Sequence, residues 1–229
     1  MTKNSGGIIE ENIMKIIENY KKKIEDLKQL KDCGNIDIIW NNNLDKISDL
    51  SHIKLIVCAD NPGKHEFKDN VYLSSNGKCG VMAKNFFQRL NLNLHEEVIV
   101  LNKTPIHTCK TKGLKKIPQN IFEESQIIMA NFAIELLKAC HKRTELWILG
   151  TSNANFGEKN PLFAKYKEII AKAKNDEELW RKIFCFYHFS CGGFYRELYS
   201  YIDKRDGFEE QMLKNVLHNI GTYRKNLFF

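Results

Sequence analysis

Four short apolar segments, separated by stretches of helix length, constrain the fold of this chain more than any other feature. The apolar segments are residues 54–59, 98–102, 146–150 and 183–188, and helices are predicted at 81–90, 121–142 and 162–173. Strands that alternate with helices pair in parallel through right-handed crossovers. The sequence therefore predicts an α/β fold, with three α/β/α layers around a central four-stranded, mainly parallel sheet.

The segments outside this alternation are also helical in pattern. Residues 8–32 place apolar side chains at three- and four-residue intervals between Glu and Lys, which predicts an amphipathic helix. Residues 35–50 are polar and indicate a short helix or loop, whereas 194–228 indicate further helix. We divide the chain into an N-terminal helical extension, 1–50, packed on an α/β/α domain, 51–229.

The composition indicates the cellular compartment of the protein and the kind of partner it binds. The chain has 229 residues and a formal net charge of +7, which favours an anionic partner such as nucleic acid. Its seven cysteines contain no CxxC pair, which is typical of a reduced protein and unlike zinc or iron–sulfur spacing. There is neither a signal-peptide pattern nor an apolar run that would cross a bilayer. We expect a cytoplasmic monomer with no membrane partner.

Polar side chains follow every predicted strand. They are Asp60, Asn61, His65 and Glu66 after the first strand, Asn102, Lys103 and Thr104 after the second, Thr151, Ser152 and Asn153 after the third, and His188 and Ser190 after the fourth. Parallel strands present their carboxyl ends at one edge of the sheet, where ligands of open α/β folds bind. The sequence thus predicts one site built from all four strand ends.

These strand ends resemble the motifs of the uracil-DNA glycosylase superfamily, in the same order along residues 54–196. Residues 59–66, Ala-Asp-Asn-Pro-Gly-Lys-His-Glu, are similar to its first motif, with Asn61 at the catalytic position as in the branches that carry Asn-Pro-Gly. Residues 72–77 resemble its aromatic-to-Gly segment, and 101–105 resemble the strand that presents a base-reading Asn. His188-Phe189-Ser190 resembles its second catalytic motif.

The resemblance implies a monofunctional DNA glycosylase of base-excision repair, which hydrolyses the N-glycosidic bond of uracil or a related damaged base without a metal or cofactor. It assigns catalytic roles to Asn61, His188 and Glu66, substrate binding to Asp60, Tyr72, Asn102 and Ser190, and DNA contacts to Phe194, Tyr195 and Arg196.

The residue types suit this chemistry. An imidazole at His188 can hydrogen-bond the negative charge that develops on the leaving base, and the amide of Asn61 can hold the attacking water. The amide of Asn102 offers a donor and an acceptor together, which match the O4 and N3–H edge of uracil. Tyr72 would stack on a base that has left the duplex.

Other interpretations remain open at this stage. Ala59 and Phe189 depart from the family pattern, which favours as an alternative a catalytically inactive nucleic-acid-binding protein of the same fold. A second alternative is an unrelated hydrolase or transferase that uses Cys191 near His188, although no third orienting group is evident. Each candidate also has an ordinary structural explanation: a turn for Asn61-Pro62-Gly63, a cap for Asn102, an exposed loop position for Glu66, and core packing for the imidazole and the aromatic rings.

Overall fold

The computed structural model describes residues 5–30, 34–157, 161–190, 192–202 and 209–229, and it contains a four-stranded, fully parallel sheet. The strands are β1 (Leu55–Ala59), β2 (Val98–Asn102), β3 (Glu145–Ile148) and β4 (Ile183–Cys185). Their spatial order is β2-β1-β3-β4. The predicted α/β/α fold is confirmed.

Helices occupy most of the remaining described chain. They are α1 (Ser5–Lys28), α2 (Lys64–Asp69), α3 (Lys78–Gln88), α4 (Gln119–Ala139), α5 (Asn153–Phe156), α6 (Ala164–Ala171), α7 (Glu177–Arg181), α8 (Gly192–Tyr201) and α9 (Glu210–Phe228). Short 3-10 helices lie at Leu44–Lys46, Thr111–Lys116 and Lys172–Asn175. None of these described helices is both long and apolar enough to cross a membrane.

The strands have apolar side chains on both faces, so the sheet is covered on both sides. On one face Ile56 and Cys58 pack with residues of α1, α4 and α6. On the other face Leu55 and Val57 pack with residues of α3, α8 and α9. Two apolar cores therefore enclose the sheet and leave its carboxyl edge free to carry polar groups.

The N-terminal helix packs on the outer surface of α4. Tyr20 of α1 stacks on Phe132 at a centroid distance of 4.6 Å, and its hydroxyl donates to Glu135 Oε1 at 2.6 Å. Ile17, Ile24 and other buried residues of α1 extend the same apolar core. The amphipathic pattern predicted for residues 8–32 thus describes a helix that completes one layer.

The structure differs from the sequence prediction where the chain leaves the sheet. Strands β3 and β4 end earlier than predicted, because Gly150 takes a left-handed conformation (φ 71°) and Thr151 then donates its N–H and hydroxyl to Phe186 O. Helix α2 lies in the polar segment after the first predicted strand, where the sequence predicts no helix, since six residues are too few to show a periodic pattern. The predicted helix 194–228 is two helices, α8 and α9.

Candidate functional site

A cavity of about 250 Å³ lies at the carboxyl edge of the sheet. Its walls come from the exit of β1, the loop before the Thr111–Lys116 turn, the first turn of α3 and the exit of β4. The lining residues are Ala59, Asp60, Asn61, Gly63, Glu66, Cys79, Thr108, Cys109, Lys110, Thr111, His188 and Ser190. Five of the predicted site residues therefore meet around one space that suits a small ring rather than a large ligand.

Asn61 is held in a defined orientation. Its amide Nδ2 donates to Thr108 Oγ1 at 3.0 Å and to the carbonyl oxygens of Thr108 and Pro62 at 3.2 Å. Carbonyl oxygens only accept, so the NH₂ group must face them. The carbonyl oxygen of the Asn61 side chain is consequently the atom that can meet a ligand.

His188 is fixed by Ser190. The backbone N–H of Ser190 donates to His188 Nδ1 at 3.3 Å, and its hydroxyl lies 2.7 Å from the same nitrogen. Because Nδ1 accepts a hydrogen bond, the neutral ring carries its proton on Nε2. Burial lowers the pKa of His188; the charge of Asp60 opposes this shift and that of Lys103 adds to it. The site thus presents a neutral imidazole with an Nε2–H donor.

Glu66 lines the cavity but both of its oxygens accept backbone hydrogen bonds. Oε2 accepts from the Gly63 N–H and Oε1 from the Leu73 N–H, both at 2.6 Å. Burial raises the pKa of this carboxyl, and the two N–H donors oppose the shift. In this arrangement Glu66 fixes the start of α2 and joins it to the 72–74 segment, which shapes the cavity wall.

Asp60 forms an ion pair with the buried side chain of Lys103. Lys103 has no exposed side-chain surface, and its ammonium group donates to Asp60 Oδ1 and to Leu149 O. The rings of Phe156 and Phe163 flank the ammonium nitrogen at 5.1 and 4.8 Å. A Cβ at Gly150 would collide with the Asp60 carboxylate. The position of Asp60 therefore depends on three strand ends, β1, β2 and β3.

Asn102 is the most unusual polar residue of the site. It is fully buried, and neither polar atom of its side chain has a hydrogen-bond partner in the described parts of the chain. It pairs in register with Ala59, which lines the cavity, and strand alternation places it on the same face as Val98 and Val100. Buried amides are nearly always satisfied, so this orphan is unusual. Asn102 itself does not line the cavity; only its strand neighbour Ala59 does.

Tyr72 occupies a different place from the one its predicted stacking role requires. Only 1% of its surface is exposed, and its hydroxyl donates to Ile39 O at 2.9 Å. Asn41 accepts the Tyr72 N–H at 3.3 Å and donates to Val100 O, so the segment before β1 covers this side of the sheet. Tyr72 contributes to the core in this conformation and does not line the cavity.

The predicted DNA contacts on α8 are divided between core and surface. Phe194 is 3% exposed and packs edge-on against Phe86 at 4.9 Å, so it lies in the core in this conformation. Tyr195 is partly buried and donates to Met82 O at 3.3 Å. Arg196 is exposed and free to meet a phosphate.

Phe189, which departs from the motif that the sequence resembles, is fully buried in the core. Its ring packs against Phe86 at 5.5 Å and Phe194 at 4.7 Å. This packing holds the turn between His188 and Ser190 while leaving the cavity open. Cys191, the nucleophile of the alternative hydrolase hypothesis, lies outside the described residues.

Three site residues were not assigned a role from the sequence. Thr108 orients Asn61, Lys103 pairs with Asp60, and Cys79 Sγ lies 3.8 Å from His188 Nδ1. Lys103 had a usable signal, since a lysine directly after a buried strand predicts a buried ion pair. Thr108 and Cys79 have none, because Thr108 lies in the loop after β2 and Cys79 in the first turn of α3, and only the tertiary fold brings them to the site.

Exposed lysines lie in the segments that carry the lining residues, and Lys110 itself lines the cavity. Exposed lysines follow the lining loop at Lys110, Lys112, Lys115 and Lys116, and others begin α2 and α3 at Lys64 and Lys78. In the described part of the chain, no group of three or more His, Cys, Asp or Glu residues could hold a metal ion. No protein-family model matches this chain, and a search of curated proteins found no match.

Proposed function

We propose that this protein is a monofunctional DNA glycosylase that hydrolyses the N-glycosidic bond of uracil or a related damaged base. The observation that carries the proposal is that Asn61 and His188, each held in one orientation, line the same cavity. The buried amide of Asn102, without a partner in the described chain, adds to it: Asn102 does not line the cavity, but it pairs in register with Ala59, which does.

The amide of Asn102 would select the base. An amide pairs with a neighbouring acceptor and donor, which uracil presents at O4 and N3–H, whereas cytosine presents an amino group where uracil has O4. A buried amide without a partner costs about 1–3 kcal/mol. A base with the matching edge recovers that free energy on binding, and one with the wrong edge does not.

His188 would stabilise the leaving base. Cleavage leaves negative charge on the base, and a fixed Nε2–H donor is worth roughly 2.7–4 kcal/mol of transition-state stabilisation. The lowered pKa keeps the ring neutral near pH 7, so the donor is present without a second buried cation beside Lys103.

Asn61 would position the attacking water through its side-chain oxygen. Because Thr108 engages the amide nitrogen, the oxygen has a fixed direction. An amide is a weak general base, so this site relies on placement of the water rather than on proton abstraction, and we expect slow turnover. Exposed lysines of the segments that carry the lining residues would bind the phosphates of the strand that delivers the base.

The test is release of free base from labelled DNAs that carry uracil, a thymine mismatch or hypoxanthine. Wild-type protein is compared with Asn61→Ala and His188→Ala, and His218→Ala is the matched control because His218 lies on α9 at the opposite edge of the sheet. We expect release by wild type and by the control, and a loss of about a hundredfold or more in the two site variants.

Absence of release from every substrate would contradict the proposal. Salt-sensitive DNA binding that persists in that case would identify a non-catalytic nucleic-acid-binding protein, because phosphate contacts do not need the cavity.

A further inference from the structure

An exposed aromatic pair stands beside the cavity. Phe67 of α2 is 39% exposed, and its ring stacks on His107 at a centroid distance of 4.5 Å and an interplanar angle of 13°. Both residues belong to segments that line the cavity, since Gly63 and Glu66 precede Phe67 and Thr108 follows His107. Neither ring lines the cavity itself, so the pair forms a separate surface next to its mouth.

This pair is held rigidly. His107 Nδ1 lies 2.8 Å from Pro62 O and donates to it, since a carbonyl oxygen only accepts. Phe67 donates its backbone N–H to Gly63 O at 2.9 Å, and Glu66 ties the same turn to Leu73. One face of the Phe67 ring is covered by His107, so the exposed part of the ring is a preformed flat surface.

The surroundings of the pair are cationic. Lys64 and Lys68 lie on the same short helix as Phe67, and Lys110 and Lys112 follow His107; all four are exposed. A flat aromatic face among lysines matches a nucleic-acid strand, whose bases stack on aromatic rings while its phosphates meet cations. On α2 itself Glu66 and Asp69 offset the two lysines, so the excess positive charge near the pair comes from Lys110 and Lys112.

We infer that the Phe67–His107 pair is a stacking platform for an unpaired base of a single strand, next to the nucleotide that enters the cavity. The inference rests on the proposed function in one respect, that the partner is DNA, but platform binding requires no cleavage. Because Tyr72 is buried, Phe67 is the exposed aromatic ring of the β1 exit that a base can reach.

Binding of a fluorescent, undamaged single-stranded oligonucleotide at fixed salt tests this inference. Phe67→Ala and Phe67→Leu remove the aromatic face, and Phe67→Trp retains one. The control is Tyr223→Ala, which removes a more exposed ring (61%) on α9. We expect Kd to rise about tenfold for the Ala and Leu variants and to stay near wild type for Trp and the control.

Salt dependence separates stacking from charge. Phe67→Ala should leave the slope of log Kd against log salt unchanged. Lys64→Ala should reduce that slope by about one, the amount expected for the loss of one phosphate contact. Wild-type affinity of both Phe67→Ala and Phe67→Leu, or absence of DNA binding by any form of the protein, would overturn the inference.

Base release is measured on the same proteins, so that the two proposals fail independently. Release by wild type together with normal DNA affinity of Phe67→Ala would refute the stacking platform and support the glycosylase proposal. Absence of base release together with weakened DNA binding by Phe67→Ala would support the stacking platform and refute the glycosylase proposal. If both hold, Phe67→Ala should raise KM for a DNA substrate and leave kcat nearly unchanged.

Discussion

The two edges of the sheet use their polar residues in different ways. At the amino edge Glu145 begins β3, and its two oxygens accept from Trp147 Nε1 at 2.8 Å and His218 Nε2 at 2.7 Å. At the carboxyl edge Asn102 ends β2 without a partner for either polar atom in the described chain. The polar groups of Glu145 are paired within the fold, whereas the amide of Asn102 at the other edge has no partner in the described chain.

The histidines at the two edges show the same contrast. The hydrogen bond to Glu145 raises the pKa of His218, which stacks on Phe184 at 4.7 Å. Burial lowers the pKa of His188, and Ser190 meets its ring without supplying a charge. A carboxylate partner favours the charged form of an imidazole, whereas burial beside a hydroxyl favours the neutral form.

The largest effect is expected for the buried ion pair at the carboxyl edge. Lys103→Met leaves the Asp60 carboxylate, whose side chain is 13% exposed, without its cation, and should lower the free energy of unfolding by about 3–5 kcal/mol. At the amino edge Lys54→Met removes a cation that is 58% exposed and pairs with Glu97 at 2.5 Å; solvent screening limits this loss to less than about 1 kcal/mol. Urea denaturation measures both values.

The companion variant Lys103→Met with Asp60→Asn removes both charges and should recover part of the lost stability. Equal losses for Lys103→Met and Lys54→Met would show that the two edges do not differ in this respect.

The next-largest effect on stability is expected for two buried asparagines, Asn41 and Asn102. Asn41 donates to Val100 O at 2.9 Å and accepts from the Asn43 and Tyr72 N–H groups, so Asn41→Leu should cost about 1–3 kcal/mol of stability. Asn102→Leu removes an unsatisfied amide and should raise stability by about 1 kcal/mol, while abolishing selective base release. Thermal denaturation and the base-release assay measure the two effects.

A stability loss for Asn102→Leu as large as that for Asn41→Leu would contradict the interpretation that Asn102 is reserved for a ligand.

The smallest effect concerns the pH dependence of the two histidines. Because the pKa of His188 is lowered in the folded protein, the unfolded chain takes up a proton at this residue at a higher pH than the folded protein does. Protonation therefore favours the unfolded state, and His188 reduces stability as pH falls below about 6.5. The raised pKa of His218 has the opposite sign: its contribution is present below about 6.5 and is lost as pH rises through the folded-state pKa. NMR titration of the imidazole nitrogens should find His218 titrating above His188, and the reverse order would refute the contrast.

Much of the candidate site could be predicted from the sequence, because parallel strands bring their exits to one edge. Asp60, Asn61, Glu66, His188 and Ser190 all line the cavity. The other predicted site residues do not line it: Asn102, Tyr72 and Phe194 are buried, and Tyr195 and Arg196 lie on α8. An exposed ring near the cavity is that of Phe67. A stretch of sequence does not show which side of a short segment faces the core, and α2 has too few residues for a periodic signal.

The sequence by itself determined the layered fold, since the alternation of buried strands and amphipathic helices permits few arrangements. It also determined that the strand ends are polar and that the chain is basic. Only the tertiary structure decided which polar atoms have partners: Thr108 accepts from the amide nitrogen of Asn61, Lys103 pairs with Asp60, and Asn102 remains unpartnered in the described chain. These outcomes depend on contacts between residues far apart in the chain, which only close packing of the whole domain brings within hydrogen-bond distance.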